Sequence, residues 1–137
     1  DNLYCGLMIG HGIIKFTDCL RVNINNDFCF YYKWLIEKHY YNTLKLQTPA
    51  HGCHITLYRP TIHGQINFDK VYNFIDKVVE FEYDPTNIRI GGQSKGFMNF
   101  YVPVYSDEFS RIEKKLGIRN KTNFLGYHIT LVNNKKL

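Results

Sequence analysis

His54-Ile55-Thr56-Leu57 and His128-Ile129-Thr130-Leu131 are the same tetrapeptide, and each follows a glycine two residues upstream: Gly52 in Gly-Cys-His and Gly126 in Gly-Tyr-His. The flanks agree as well. Residues 20–24 alternate apolar and polar positions as a strand does, Asn25-Asn26-Asp27 supplies a helix cap, and a helical stretch leads to the first tetrapeptide. Residues 97–104, then Ser106-Asp107, then another helical stretch lead to the second. Two strand–helix–strand units in 137 residues predict an internal duplication, roughly 1–66 and 67–137, about a pseudo-twofold axis.

Alternate side chains of a strand share a face, so His54 and Thr56 point one way while Ile55 and Leu57 point the other. The same holds for His128 and Thr130. With Ile and Leu packed on helices, a twofold would gather two imidazoles and two hydroxyls about one cleft. Imidazole titrates near neutrality, so one ring can take a proton while the other gives one. Threonine hydroxyls can donate to the oxygens of a phosphate held between them. Metal-free phosphodiester chemistry is the reaction this set suits, and no cofactor is expected. The symmetric repeat leaves open which histidine is the first base.

Outward from the repeat, residues 3–9 read as a strand closed by a Gly10-His11-Gly12 turn, and 28–44 as a long helix. Phe30, Trp34, Ile36 and Leu44 are its expected inward positions, so Trp34 is read as core. Residues 52–58 alternate as a strand. A second helix from Asn67 or Asp69 to about Val79 would turn Phe68, Val71, Tyr72 and Ile75 inward. Residues 79–83, 87–90, 97–104 and 126–132 read as strands, and Ser106 and Gly117 bound a third helix. The expected fold is α+β: one duplicated, two-lobed domain of mainly antiparallel sheet, with about three outer helices and a central cleft.

Composition fits that size. Hydrophobic residues make up 45% and charged residues 21%, which excludes a disordered chain. Aromatics are abundant: eleven Tyr, ten Phe and one Trp. Net charge is +5, and residues 111–137 hold seven bases against Glu113 alone, which favours an anionic partner. Cys5, Cys19, Cys29 and Cys53 form no CxxC pair and read as reduced, mostly buried thiols. Residues 2–14 are uncharged but shorter than the roughly 20 residues a bilayer span needs. They also lack the features of a signal peptide, so a soluble intracellular protein without membrane contact is expected.

Paired His-x-Thr-x motifs in a duplicated α+β chain resemble the two-histidine phosphoesterase superfamily, over nearly the whole length. That resemblance implies metal-free cleavage or opening of phosphodiesters at RNA ends or in cyclic and oligonucleotide linkages. Leu3-Tyr4-Cys5-Gly6-Leu7-Met8-Ile9 and the run from Thr48 to Pro60 are similar to the phage anti-CBASS nucleases within it. Those nucleases degrade cyclic di- and trinucleotide messengers in the host cytoplasm. Family members use aromatics to sandwich a base, which makes Tyr4 a candidate. Tyr58 continues the face of His54 and Thr56 and competes between substrate contact and packing; its counterpart is Val132. Lys95, in a glycine-rich loop without the GxxxxGK[ST] pattern, competes between phosphate contact and plain exposure. His51, Cys53, His54 and His63 lie close in sequence but lack zinc-ligand spacing, so no metal is expected. An RNA-end 2′,3′-cyclic phosphodiesterase and a non-catalytic nucleotide binder are the alternatives.

Overall fold

Gly10 and Gly12 do not turn the chain. They lie inside a nine-residue strand, β1 (Met8–Phe16), whose neighbours explain why they are glycines. A Cβ on Gly10 would lie 2.6 Å from Cε2 of Phe81, and one on Gly12 would lie 2.8 Å from the carbonyl oxygen of Asn23. Here glycine serves close approach of neighbouring groups within a sheet, a role that composition alone does not separate from a turn.

The computed structural model describes residues 7–118 and 126–135. Tyr4, Cys5, Arg119, Lys121 and Lys136 lie outside them. After β1 come β2 (Leu20–Asn23), α1 (Asp27–His39), β3 (His54–Tyr58), the single-turn helices α2 (Pro60–His63) and α3 (Phe68–Val71), and β4 (Val78–Tyr83). Then follow β5 (Arg89–Gly91), a 3₁₀ turn (Gln93–Lys95), β6 (Asn99–Tyr105), α4 (Asp107–Leu116) and β7 (His128–Asn133). The fold is α+β, and every strand pairing described is antiparallel.

Strand order is β4-β1-β2-β3-β7-β6-β5, and a further β4–β6 pairing closes six of the strands into a ring. One edge of β6 is shared: its first residues pair with β5, while Val104 and Tyr105 pair with Tyr83 and Glu82 of β4. Two seams are narrow. β3 meets β7 through the single partner pair Ile55–Ile129, and β4 meets β6 through those two. A closed ring leaves the long strands few open edges.

Both long helices start near their expected caps, but only Ser106 of α4 makes a side-chain cap bond; Asn26, the N-cap of α1, makes none to its helix. Asn25 Oδ1 accepts the Asp27 N–H at 2.9 Å, and Asn26 Oδ1 accepts the Cys53 N–H at 2.9 Å, tying the start of α1 to the residue before His54. Ser106 Oγ accepts the Phe109 N–H, and Gly117 ends α4 in the left-handed region at φ 74°. α1 stops at His39, short of Leu44, where Tyr41 and Asn42 take left-handed φ of 56° and 59°. Its buried stripe is Cys29, Tyr32 and Ile36, so Phe30 and Trp34 face solvent, correcting the core reading of Trp34. The Lys38 ammonium lies 4.6 Å over the Trp34 ring. The second expected helix is one turn, with Val71 and Phe74 buried while Phe68 and Tyr72 are exposed.

One apolar core joins Val22, Ile55, Ile129 and Val102, aligned across β2, β3, β7 and β6, to Cys29 and Ile36 of α1 and Phe109 and Ile112 of α4. Cys19, Cys29 and Cys53 are free and buried. No helix among the described residues is long and apolar enough to cross a membrane.

Candidate active site

Each candidate histidine opens its strand, and each is held in the same way. His54 Nδ1 lies 2.8 Å from the Gly52 carbonyl oxygen, and His128 Nδ1 lies 3.2 Å from that of Gly126. A carbonyl only accepts, so in the neutral ring Nδ1 carries the proton and Nε2 keeps its lone pair. Gly52 and Gly126 have φ of 81° and 65°, a region that L side chains rarely adopt. The glycine two residues before each histidine therefore lets the chain turn its carbonyl back onto the ring.

Register then gathers the four residues. Ile55 faces Ile129, its own counterpart in the other tetrapeptide. Were that single antiparallel pair extended by one residue to either side, His54 would come opposite Thr130 and Thr56 opposite His128, all on the face away from the two isoleucines. Ile55 and Ile129 are fully buried, whereas the two histidines and two threonines are half-buried. Outside them on the same face stand Arg21, the β2 partner of Thr56, and Tyr101, the β6 partner of Thr130. The Tyr101 ring meets His128 edge-on at 5.5 Å.

Burial holds the pKa of both imidazoles below the ordinary value, and each glycine carbonyl opposes that by favouring the protonated ring. Positive charge on Arg21, His51 and Arg59 depresses His54 further, and Arg59 does the same to His128. Both rings are therefore neutral bases near pH 7 until an anion sits beside them. Two such bases with adjacent hydroxyls can remove a proton, return one, and donate hydrogen bonds to a phosphate.

The other expected positions stand apart from this set. Tyr58 does not reach the open face: it is 1% exposed, its hydroxyl donates to the Gly64 carbonyl at 2.6 Å, and its ring packs near Phe68 and His63. Packing is its role, because the α2 turn folds over the end of β3. Lys95 is exposed, on the loop that enters β6 at Asn99. Asn99 pairs with Asn133, at the far end of β7 from His128, so Lys95 is not brought to the four. Tyr4 lies outside the described residues. His63 Nδ1 accepts the Arg59 N–H, Cys53 is buried, and no three His, Cys, Asp or Glu are grouped for a metal among the described residues.

The sequence reading missed Arg21 and Arg59. Arg21 is 7% exposed and becomes a neighbour of the site only through β2–β3 register, for which the sequence carries no local signal. Comparison with family models, curated proteins and solved structures found no match to the chain.

Proposed function

We propose that the chain is a metal-independent phosphodiesterase of the two-histidine kind, acting on 3′–5′ linkages of cyclic di- and trinucleotides. One observation carries this reading: two Gly-x-His-x-Thr segments, each with imidazole Nδ1 on its glycine carbonyl, lie on adjacent strands registered on the Ile55–Ile129 pair. An antiparallel pair centred on identical residues has a local twofold, which supports the duplicated, two-lobed architecture. β2-α1-β3 and β6-α4-β7 are the corresponding units, although β4, from the second half of the sequence, pairs along its length with β1 of the first, so the closed ring is not split cleanly into two lobes.

One Nε2 takes the proton of a ribose 2′-hydroxyl, whose oxygen attacks the adjacent phosphorus. The other imidazole, protonated, gives its proton to the departing 5′-oxygen as that P–O bond breaks. The product is a 2′,3′-cyclic phosphate, and each ring now has the protonation state the second step needs. Water, deprotonated by the ring that gave its proton, adds to phosphorus; the ring that took one protonates the 2′-oxygen, leaving a 3′-phosphate. Thr56 and Thr130 donate to the non-bridging oxygens throughout. The similarity to anti-CBASS nucleases makes a defence messenger the natural substrate and the host cytoplasm the place of action.

The test is turnover, in EDTA, of 3′,3′-cyclic GMP–AMP against RNA ending in a 2′,3′-cyclic phosphate. Preference for the cyclic dinucleotide is expected; preference for the RNA end moves the chain to RNA processing. His54→Ala or His128→Ala should each cost about 10²–10⁴-fold in kcat, the range for one acid–base group. Loss of activity in EDTA, or wild-type turnover in either variant, overturns the mechanism. Nucleotide binding with no turnover would leave a binding protein.

A further inference from the structure

The two halves of the site match in their histidines and threonines but differ in charge. Arg21 stands beside Thr56, whereas the corresponding neighbour of Thr130 is Tyr101. Arg59 follows β3 by one residue, and its counterpart at the end of β7 is Asn133. Cationic groups therefore collect on one side of the imidazole pair.

Arg21 and Arg59 also line a hollow next to the site, which touches none of the four residues and is joined to them through Arg21, the β2 partner of Thr56. A cavity of about 460 Å³ is lined by Arg21, His51, Arg59, Thr61 and Asp18, and an adjoining one of about 230 Å³ shares Arg21 and His51 and adds Lys15. The Arg21 guanidinium is fixed from one side only: Nη1 donates to Asp18 at 2.8 Å and to Thr17 at 3.3 Å. Its buried Nε–H has no partner among the described residues. Arg59 is exposed and has no ion pair among the described residues, whereas Lys15 is paired with Asp76. A planar, permanently charged donor beside a second arginine suits a tetrahedral oxyanion, since guanidinium groups bind phosphate through paired N–H donors.

We propose that this cavity is a second phosphate subsite, holding the non-scissile phosphate of a nucleotide that carries two while the other lies between His54 and His128. The inference rests on the proposed phosphodiesterase reading and sharpens it. It makes a two-phosphate nucleotide the preferred substrate class and gives a symmetric catalytic pair one direction of binding, with phosphate toward Arg21 and Arg59 and the rest toward Tyr101. Asp18, the one acid on the cavity wall, opposes the anion and tunes its affinity.

Arg59 is exposed, so its replacement leaves the core alone, whereas Asp18→Asn also removes the charge partner of buried Arg21 while keeping an amide oxygen to accept from it. The readout is the ratio of kcat/KM for a cyclic dinucleotide, with two phosphodiesters, to that for a dinucleoside monophosphate, with one. Arg59→Ala should lower this ratio about tenfold, the worth of one charge-assisted contact, and Asp18→Asn should raise it. An unchanged ratio in Arg59→Ala overturns the subsite. A second arm needs no turnover: pyrophosphate is titrated calorimetrically into His54→Ala/His128→Ala protein with and without Arg59→Ala. Weaker binding without Arg59 supports the subsite even if no nucleotide is cleaved, which would then count against the phosphodiesterase reading alone. Equal binding overturns the subsite whatever the turnover.

Discussion

Replacing the glycine before each histidine tests whether backbone geometry sets the imidazole tautomer. Gly126 has φ 65°, and a Cβ there would meet nothing within 4 Å. Gly126→Ala therefore costs only the left-handed backbone, about 1–2 kcal/mol. At about 2–4 °C per kcal/mol for a domain near this size, the melting temperature should fall by about 2–8 °C. Gly52 has φ 81°, and its Cβ would lie 3.0 Å from Asn26 Oδ1, the acceptor of the Cys53 N–H. Displacing that oxygen adds the loss of one hydrogen bond, about 0.5–1.5 kcal/mol, so Gly52→Ala should be the less stable of the two. Asparagine, which tolerates the left-handed region, should recover part of the loss at position 126. Thermal unfolding followed by circular dichroism gives the first readout and kcat the second. If the substituted alanine keeps the left-handed φ, stability falls and turnover survives. If it relaxes to negative φ, the carbonyl leaves His128 Nδ1, stability recovers and turnover falls. A Gly126→Ala protein with both wild-type melting and wild-type turnover would refute the reasoning.

The pH profile follows from the environment of the two rings. The proposed mechanism needs one imidazole protonated and one neutral, and both are depressed by burial in the free protein, so the kcat/KM optimum should fall below about 6.5. A bound phosphodiester anion favours both protonated rings, so the limbs of kcat should lie at higher pH than those of kcat/KM. Coincident profiles centred above neutrality would contradict this. Tyr58→Phe removes a hydroxyl that donates to Gly64, which should lower stability by about 0.5–1.5 kcal/mol. Denaturant unfolding measures that loss, and KM should not move; a several-fold rise in KM would return Tyr58 to the substrate face.

What was legible in the sequence was local. A strand's two-residue period placed His54 with Thr56 and His128 with Thr130, and caps such as Ser106 marked helix ends that the structure keeps. Registers and closures were not legible, because they depend on which distant strands meet. Gly10 and Gly12 read as a turn since their reason lies on other strands, in Phe81 and Asn23. Trp34 and Phe30 read as core since hydrophobicity does not say which stripe of α1 faces the sheet. The ring closes through two partner pairs, Glu82–Tyr105 and Tyr83–Val104, a contact too small to leave a pattern in composition.

The aromatic surplus and the positive charge now divide by place. Tyr32, Phe81, Tyr83, Phe100 and Phe109 are buried, so many of the rings serve packing. Tyr101 is buried too, yet its edge contact with His128 sets it at the site. The basic tail residues Arg111, Lys114 and Lys115 lie exposed on or near the end of α4, a place suited to steering anions. Beside the imidazoles themselves, the positive charge comes from Arg21 and Arg59, outside the basic 111–137 segment. Net charge by segment therefore points to the approach of a ligand, while strand register decides which cations meet it. A perfect duplication would have produced two equivalent ends and no preferred orientation for a substrate. Tyr101 at one arginine position and Asn133 at the other break that equivalence without touching either histidine, so under the proposed mechanism the symmetry of the imidazole pair and the direction of binding can vary independently.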